Sequence, residues 1–221
     1  MRWKVLLIVT VIAVLASAFF YLDTFVWSDS YSSNALYVDN DWIDSGEVPS
    51  ELSFGINAFH SIENAVMKAD SEKNKEIVVM PGNYSIGEDP LKIEKPNLVI
   101  RSSEGPERTI IESEGDVLSI RAENVALRGF TVSGPFEKFS TGIYVFGNNC
   151  KISGNIVENK DSGIVITTED KQRPASGVIL EGNTFRGDSW GVTLGWSKKC
   201  SILNNRFDNC LLETITRDAE Q

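Results

Sequence analysis

The sequence predicts an all-β solenoid, in which short parallel strands stack into successive rungs joined by tight turns. One observation is a strand-like segment that recurs four times between residues 116 and 210, as Val117–Ile120, Gly142–Val145, Gly163–Ile166 and Gly191–Leu194. A second is an apolar-x-apolar strand that follows each of them, as Val125–Leu127, Cys150–Ile152, Val178–Leu180 and Cys200–Ile202. A third is an asparagine-containing turn after the last three strands, as Gly154–Asn155, Gly182–Asn183 and Asn204–Asn205. Repeats of roughly 20–30 residues built in this way are typical of solenoids.

Aligned under one another, the repeats place apolar residues in five columns. Because side chains alternate between the two faces of a strand, each column is expected to lie on one inward face. The columns are Leu118, Ile143, Ile164 and Val192; Ile120, Val145, Ile166 and Leu194; Leu98, Val125, Cys150, Val178 and Cys200; Ile100, Leu127, Ile152, Leu180 and Ile202; and Val132, Val157, Phe185 and Phe207. The shared turn position of Asn155, Asn183 and Asn205 predicts an asparagine ladder in preference to a row of ligand-binding amides.

The segment before the repeats predicts a first strand and one helix. Ala35–Asp39 has the composition of a short strand, and apolar residues recur at helical spacing over about residues 59–70, with Ser61 as the candidate N-cap. A helix in this place is expected to cover the open apolar end of the first rung. The predicted domain spans residues 35–221 and has about five to six rungs.

The N-terminus predicts export. Arg2 and Lys4 precede an uncharged run, Val5–Leu22, which is at the lower limit of length for a bilayer-spanning helix. Ala16–Ala18 fits a signal-peptide cleavage site, so residues 1–22 are either a transmembrane anchor or a cleaved signal. The protein is therefore expected to be membrane-anchored through residues 5–22 with its domain extracytoplasmic, or secreted if cleaved. Residues 23–34 are polar and predict a tether.

The charge of the chain and the positions of its cysteines limit the classes of partner and the disulfides that it can form. The formal net charge of −10 disfavours nucleic acid as a partner. Cys150 and Cys200 share a column with Val178 between them, which separates them by about 9.6 Å, whereas bridged cysteines have Cα atoms within about 7 Å. Both are expected to be buried as small hydrophobic residues, and Cys210, at a corner, is expected to be a free thiol.

Two insertions interrupt the repeat, and they are the candidate functional loops. Insertions in a solenoid emerge as surface loops, which carry function more often than rungs do. They are Gly134–Ser140 and Thr167–Gly177, and we expect them to flank the outer face of the first repeated strand as a shallow groove. The candidate binding residues on and beside this face are Tyr144, Trp190, Trp196 and Arg173. Aromatic and polar groups together suit stacking on sugar rings; the alternative is that the tryptophans pack the loops and the charges are solvated.

Catalytic and metal chemistry have weaker support. The outward column Ser119, Tyr144, Val165 and Thr193 contains no acid, which argues against an active site on the sheet. Glu169 and Asp170, in the second insertion, are the remaining candidate catalytic acids. A single histidine, His60, and the lack of a His- or Met-rich segment predict no metal site, and no cofactor fingerprint is present.

The chain resembles pectin-lyase-like right-handed parallel β-helix proteins. The resemblance rests on Leu36–Trp42, Asn57–Ile62, Val78–Tyr84 and Arg128–Val132, with the Gly-Asn repeats that follow, and covers about residues 35–210. The repeats are also similar to those of the periplasmic NosD-like copper-maturation family. The resemblance implies the fold strongly and an activity weakly, although enzymes of the wider group mostly act on acidic polysaccharides.

The expected function is therefore a cell-surface binding or structural module, with a glycan or another cell-envelope component as partner. The alternatives are a polysaccharide lyase or glycoside hydrolase with loop-borne acids, and a maturation factor of the NosD-like type.

Overall fold

The computed structural model describes residues 31–70, 72–73, 75–170, 173–210 and, for the backbone, 212–216. The predicted anchor or signal peptide at residues 1–22 lies outside these residues. Within the described ranges, no helix combines the length and the apolar character needed to cross a bilayer. The chain divides into two units, Met1–Ser32 and Ser33–Gln221. The fold is that of the second unit.

Three parallel sheets, with strands numbered in chain order, form the three sides of a right-handed β-helix. Sheet A has the spatial order β2-β1-β3-β6-β9-β12-β16-β20, with β1 Ala35–Val38, β2 Ala58–Phe59, β3 Glu76–Val79, β6 Val99–Ser102, β9 Ala126–Arg128, β12 Lys151–Ser153, β16 Ile179–Glu181 and β20 Ser201–Leu203. Sheet B contains β4 Gly82–Ser85, β7 Thr109–Glu112, β10 Thr131–Ser133, β13 Ile156–Glu158, β17 Thr184–Arg186 and β21 Arg206–Asp208. Sheet C contains β5 Leu91–Ile93, β8 Leu118–Ile120, β11 Thr141–Val145, β14 Ser162–Ile166, β18 Trp190–Leu194 and β22 Leu212–Thr216.

The described residues form about seven turns, because six complete rungs are preceded by β1 on sheet A. This is slightly more than the five to six rungs expected. The predicted columns are confirmed by the pairing register: Ile143 pairs with Leu118 and Ile164, and Ile152 pairs with Leu127 and Leu180. Most column residues are fully buried and form one continuous apolar core.

The C-terminal strand β22 extends sheet C beyond the last predicted column residue. It pairs with β18 in the register Val192↔Thr214 and Leu194↔Thr216. Threonines occupy the positions where the rungs above have apolar residues. For this reason the apolar pattern of the sequence ends at Cys210, although the solenoid continues through β22.

One helix among the described residues, α1 (Ile62–Lys68), follows β2. It begins three residues later than predicted because Phe59 belongs to β2, which pairs with β1. The predicted N-cap is correct: the Ser61 hydroxyl accepts a hydrogen bond of 3.3 Å from the Asn64 amide. Ile62, Ala65 and Val66 are buried in the same core as the strands. The role of this helix as a cap stays a prediction.

The asparagine ladder is present, and its three asparagines hold four consecutive turns together. The Oδ1 atoms of Asn155, Asn183 and Asn205 accept hydrogen bonds from the main-chain amides of Phe130, Asn155 and Asn183, at 2.8–3.0 Å. Their amide groups donate to the carbonyls of Leu127, Ile152 and Leu180. Each asparagine therefore satisfies buried main-chain groups of the rung above it.

The three cysteines are free thiols, as expected. Cys150 is buried, and this burial raises the pKa of its thiol. Cys200 was expected to be buried too, but it is only half-buried because it directly precedes β20, the edge strand of sheet A. Cys210 is also half-buried.

Candidate functional site

The candidate site is the outer face of sheet C together with the two loops beside it. Ser119, Tyr144, Val165 and Thr193 lie in register on β8, β11, β14 and β18. The structure adds Lys92 on β5 above Ser119, so the column begins with a base that the sequence alignment did not include. Tyr144 is half-buried, which leaves part of its ring accessible to a ligand.

An aromatic and charged cluster lies at one end of this face. The rings of Tyr144 and Phe146 stack with centroids 5.6 Å apart and an interplanar angle of 16°. The Arg121 guanidinium lies 5.1 Å from the centroid of the Phe146 ring. Its Nη1 atom also contacts Glu169 Oε1 at 2.5 Å. Arg121 directly follows Ile120, and Phe146 directly follows Val145. Because Ile120 and Val145 are in register on adjacent rungs, Arg121 and Phe146 lie next to each other.

The insertion Thr167–Gly177 folds over this end of sheet C. Its strand β15 (Ala175–Ser176) pairs with β19 (Ser197–Lys198), and the Ala175 amide donates a 3.1 Å hydrogen bond to the Trp196 carbonyl. The loop thus lies between Trp196 on the next rung and Phe146 on the previous one.

The two candidate acids are each engaged by an arginine. Glu169 contacts Arg121, and Asp170 lies 3.7 Å from the exposed Arg173. Both pairs are largely solvent-exposed, so each contributes little to stability. Their geometry is that of loop-fixing ion pairs, with the carboxylates directed to guanidinium groups.

The other insertion, Gly134–Ser140, lies at the opposite end of sheet C. The Phe139 amide donates a 2.9 Å hydrogen bond to Asp161 Oδ2, and the Asp161 carbonyl accepts one from the Trp190 amide. Phe136 and Phe139 are 55% and 77% exposed, and Phe139 has a φ of 71°, which is unusual for a bulky residue. The two insertions therefore border the face at its two ends.

The structure separates Trp190 from the Tyr144 cluster. Trp190 is in register with Ser162, and Ser162 with Thr141, so Tyr144 lies three residues along the strand and two rungs away. That is about 10 Å in each direction. Of the predicted binding residues, Tyr144, Trp196 and Arg173 lie on or beside the covered end, and Trp190 lies at the other.

Sequence reasoning missed a buried polar cluster at the corner between sheets B and C. Lys160 is 0% exposed, and its Nζ donates to the carbonyls of Ser113 and Gly115 at 2.8 and 3.0 Å. Asp188 is 1% exposed; its Oδ1 accepts from the Lys160 amide at 2.9 Å, while its Oδ2 has no hydrogen-bond partner. No pattern in the sequence distinguishes these residues from solvated surface charges.

Burial governs the protonation of this corner. It raises the pKa of Asp188 to about 7, and the nearby Glu158 carboxylate raises this pKa further. The Lys160 amide and the Lys160 ammonium act in the opposite direction and lower it. Burial lowers the pKa of Lys160, although Asp116, Glu137 and Asp188 oppose that shift. Asp116, whose Oδ1 accepts from the Thr141 amide at 2.7 Å, also has a pKa raised by burial.

The soft metal donors are dispersed over the fold. Among the described residues, no three His, Cys, Asp or Glu side chains lie close enough to hold a metal ion. His60 stacks on Phe54 with centroids 6.4 Å apart, beside the N-terminal helix. Cys150 and Cys200 are separated by the Val178 rung, and Cys210 lies at the Asp188 corner. Within the part of the chain that the structure describes, these His and Cys donors therefore do not converge on one copper site.

The fold defines the class of protein, a pectin-lyase-like right-handed β-helix repeat protein. Residues 99–219 match the family described as periplasmic copper-binding protein (NosD). The match covers more than half of the chain, and the chain belongs to this family. No curated protein and no solved structure matches it significantly. Since the family is periplasmic, the predicted extracytoplasmic location is supported.

Proposed function

We propose that the protein is a non-catalytic binding module of the cell envelope, and that its ligand is a glycan contacted by the outer face of sheet C. The observation that carries this proposal is the stacked Tyr144–Phe146 pair beside the Arg121–Glu169 bridge, on a face without an acid pair. A flat aromatic surface next to fixed polar groups is the usual composition of a small-molecule or sugar site.

The proposed contacts extend along the face from this pair. Trp196 and Arg173 flank the covered end, and Trp190 lies at the far end beside the exposed phenyl rings of Phe136 and Phe139. A short glycan would contact only the Tyr144 end. A longer one would reach Trp190, so affinity is expected to increase with oligosaccharide length.

Titration of the purified chain with oligosaccharides of increasing length tests this function, after a glycan array selects the sugar. Tyr144→Ala and Trp196→Ala are expected to weaken binding at least tenfold, and Trp190→Ala only for long oligomers. Leu203→Ala removes an exposed apolar side chain on β20 of sheet A and serves as the control. Absence of any glycan ligand, or unchanged affinity in all three aromatic variants, would overturn the proposal.

The enzymatic alternative is less well supported by the loop geometry. A glycosidase places two carboxyl groups about 5–10 Å apart across the scissile bond, with one of them held protonated. Glu169 and Asp170 instead form ion pairs with Arg121 and Arg173, so each carboxylate is already engaged by an arginine. Reducing-end and unsaturated-product assays on pectin, alginate and host glycans are expected to show no turnover; turnover abolished by Glu169→Gln would establish the alternative.

The family match over residues 99–219 favours a second candidate, a maturation factor of the NosD type. Since the described donors do not converge on one point, such a role would act through a partner protein and would not require copper held by this part of the chain. Pull-down from solubilised membranes tests for a partner protein, and copper titration of the isolated protein tests for copper held by the chain itself. Stoichiometric tight copper binding would contradict the partner-protein route.

A further inference from the structure

A second polar groove crosses the outer face of sheet A, on a different side of the solenoid from the Tyr144 face. It has a volume of about 690 Å³. Its lining runs from Glu76 on β3 to Glu181 on β16 and includes Arg101, Arg128 and Ser153. The groove therefore spans five consecutive strands of sheet A.

Two arginines lie directly in register in this groove. Arg101 on β6 pairs with Arg128 on β9 across the parallel ladder. Like charges directly opposite each other on one sheet face are destabilising unless something compensates them. Arg101 is compensated, because its Nε lies 2.6 Å from Glu76 Oε1.

Arg128 has no such compensation. It is exposed, and no described residue forms an ion pair or hydrogen bond with its side chain. The nearest carboxylate further down the groove, Glu181, is bound at 2.7 Å by Lys151. The groove thus contains two closed ion pairs with one uncompensated guanidinium between them.

The surroundings of Arg128 leave room and hydrogen-bonding capacity for a ligand. Ser153, in register below Arg128 on β12, carries a hydroxyl for which the described part of the chain provides no partner. The turn residues Gly154 and Gly182 line the groove, and a Cβ added to either would meet nothing within 4 Å. A ligand can therefore reach the guanidinium fork without displacing a side chain.

We propose that this groove binds a single carboxylate group, held by Arg128 and the Ser153 hydroxyl. A guanidinium donates two parallel hydrogen bonds to a carboxylate, an arrangement that a lysine cannot reproduce. The flanking carboxylates of Glu76 and Glu181, and the net charge of −10, disfavour polyanions such as nucleic acid or an anionic membrane. The ligand is a monocarboxylate whose remaining atoms are uncharged.

The test titrates the full chain, followed by NMR chemical shifts, with two matched pairs of probes. One pair is galacturonate and galactose, and the other is acetyl-Ala-Ala and its C-terminal amide. We expect the carboxylate of at least one pair to bind and its neutral counterpart to bind at least tenfold more weakly. The pair with the tighter carboxylate identifies whether the natural source is an acidic sugar or a peptide terminus.

Variants of the exposed Arg128 assign the binding to this groove. Arg128→Gln is expected to weaken the carboxylate at least about tenfold, in line with a charged hydrogen-bond pair, and Arg128→Lys to weaken it less. Arg108→Gln, which alters another exposed arginine paired with Glu104, is the control and is expected to change nothing. No carboxylate binding, no effect of Arg128→Gln, or tighter binding of inorganic sulfate than of either carboxylate would overturn the proposal. Since Tyr144→Ala is expected to leave this binding unchanged, the result is independent of the glycan proposal for sheet C.

Discussion

Lys160 shows how the solenoid accommodates a charged residue at a corner. Its side chain reaches back past one rung to the main chain of Ser113 and Gly115, and the next rung supplies Asp188 to its own amide. The side chain and the main-chain amide of Lys160 together therefore join three rungs. Such a group is retained only where its hydrogen bonds replace those it loses to water.

Lys160→Met is expected to destabilise the fold by about 3–5 kcal/mol, because it leaves the buried carbonyls of Ser113 and Gly115 without their ammonium donor. Lys92→Met removes an exposed lysine from sheet C and is the matched control, with an expected change within about 0.5 kcal/mol. Urea denaturation of both variants measures the difference. Equal effects would show that the buried contacts of Lys160 do not stabilise the corner.

Asp188 is expected to make stability depend on pH. Its folded pKa, about 7, lies above its unfolded value near 3.8, so the folded state binds more protons between these values. Stability then falls as the pH rises from about 4 to 7, and the neutral form is the stabilising one. Asp188→Asn, which keeps an acceptor for the Lys160 amide, should match the wild type near pH 4 and exceed its stability near pH 8.

Thermal denaturation of wild type and Asp188→Asn across this pH range measures the effect. The difference between the two proteins isolates Asp188 from Asp39 and Asp116, whose pKa values are also raised by burial. A constant difference at all pH values would contradict an ionisation of Asp188 in this window.

At the scale of elements, the asparagine ladder connects the turns after β9, β12, β16 and β20. Asn183 takes part in four hydrogen bonds, two through Oδ1 and two through Nδ2. It is 1% exposed, so water cannot replace them. The ladder is thus a buried chain in which each amide orders the next.

Asn183→Ala is expected to cost about 2–4 kcal/mol, because it leaves the Asn155 amide and the Ile152 carbonyl unpaired in the core. Asn148→Ala removes one hydrogen bond to Ser176 at an exposed site and should cost less than about 1 kcal/mol. Chemical denaturation of the two variants gives the comparison. A small effect at Asn183 would indicate that the turn relaxes enough to admit water.

The strands could be predicted from sequence because a solenoid repeats one pattern many times. Residues of one column, such as Leu127, Ile152 and Leu180, stack on one another in successive rungs. An apolar residue that recurs at the same position of each repeat therefore identifies a contact between rungs. The same rule failed at Thr214 and Thr216, which occupy column positions without apolar character. Phe59 was assigned to a helix because its spacing from Ile62 fits a helical turn as well as the strand it forms.

The site was less predictable than the rungs. The positions of both insertions followed from the register of the repeat. The Arg121–Glu169 contact did not, because an insertion has no column to fix the direction of its side chains. The buried state of Lys160 and Asp188 also escaped prediction, since at a corner the alternation that separates inside from outside is interrupted.

At the scale of the whole molecule, each rung contacts mainly its two neighbours, so stability is distributed along the stack. Hydrogen exchange is expected to be slowest in central strands such as β9 and β12, and faster in β2 and β20, which have a neighbour on one side only in sheet A. Peptide-resolved exchange mass spectrometry measures this gradient. Uniform protection along the stack would show instead that the described unit unfolds in a single step.

The asparagine ladder also has a consequence for how such a chain can change in length. The side chains of Asn155 and Asn183 make equivalent hydrogen bonds to the neighbouring rungs, and the two residues are 28 positions apart in the sequence. A segment of that length, duplicated or removed at this turn, would leave each remaining amide facing an equivalent partner. The turn is thus a natural seam at which copying a stretch of gene would lengthen the protein without requiring any new interface.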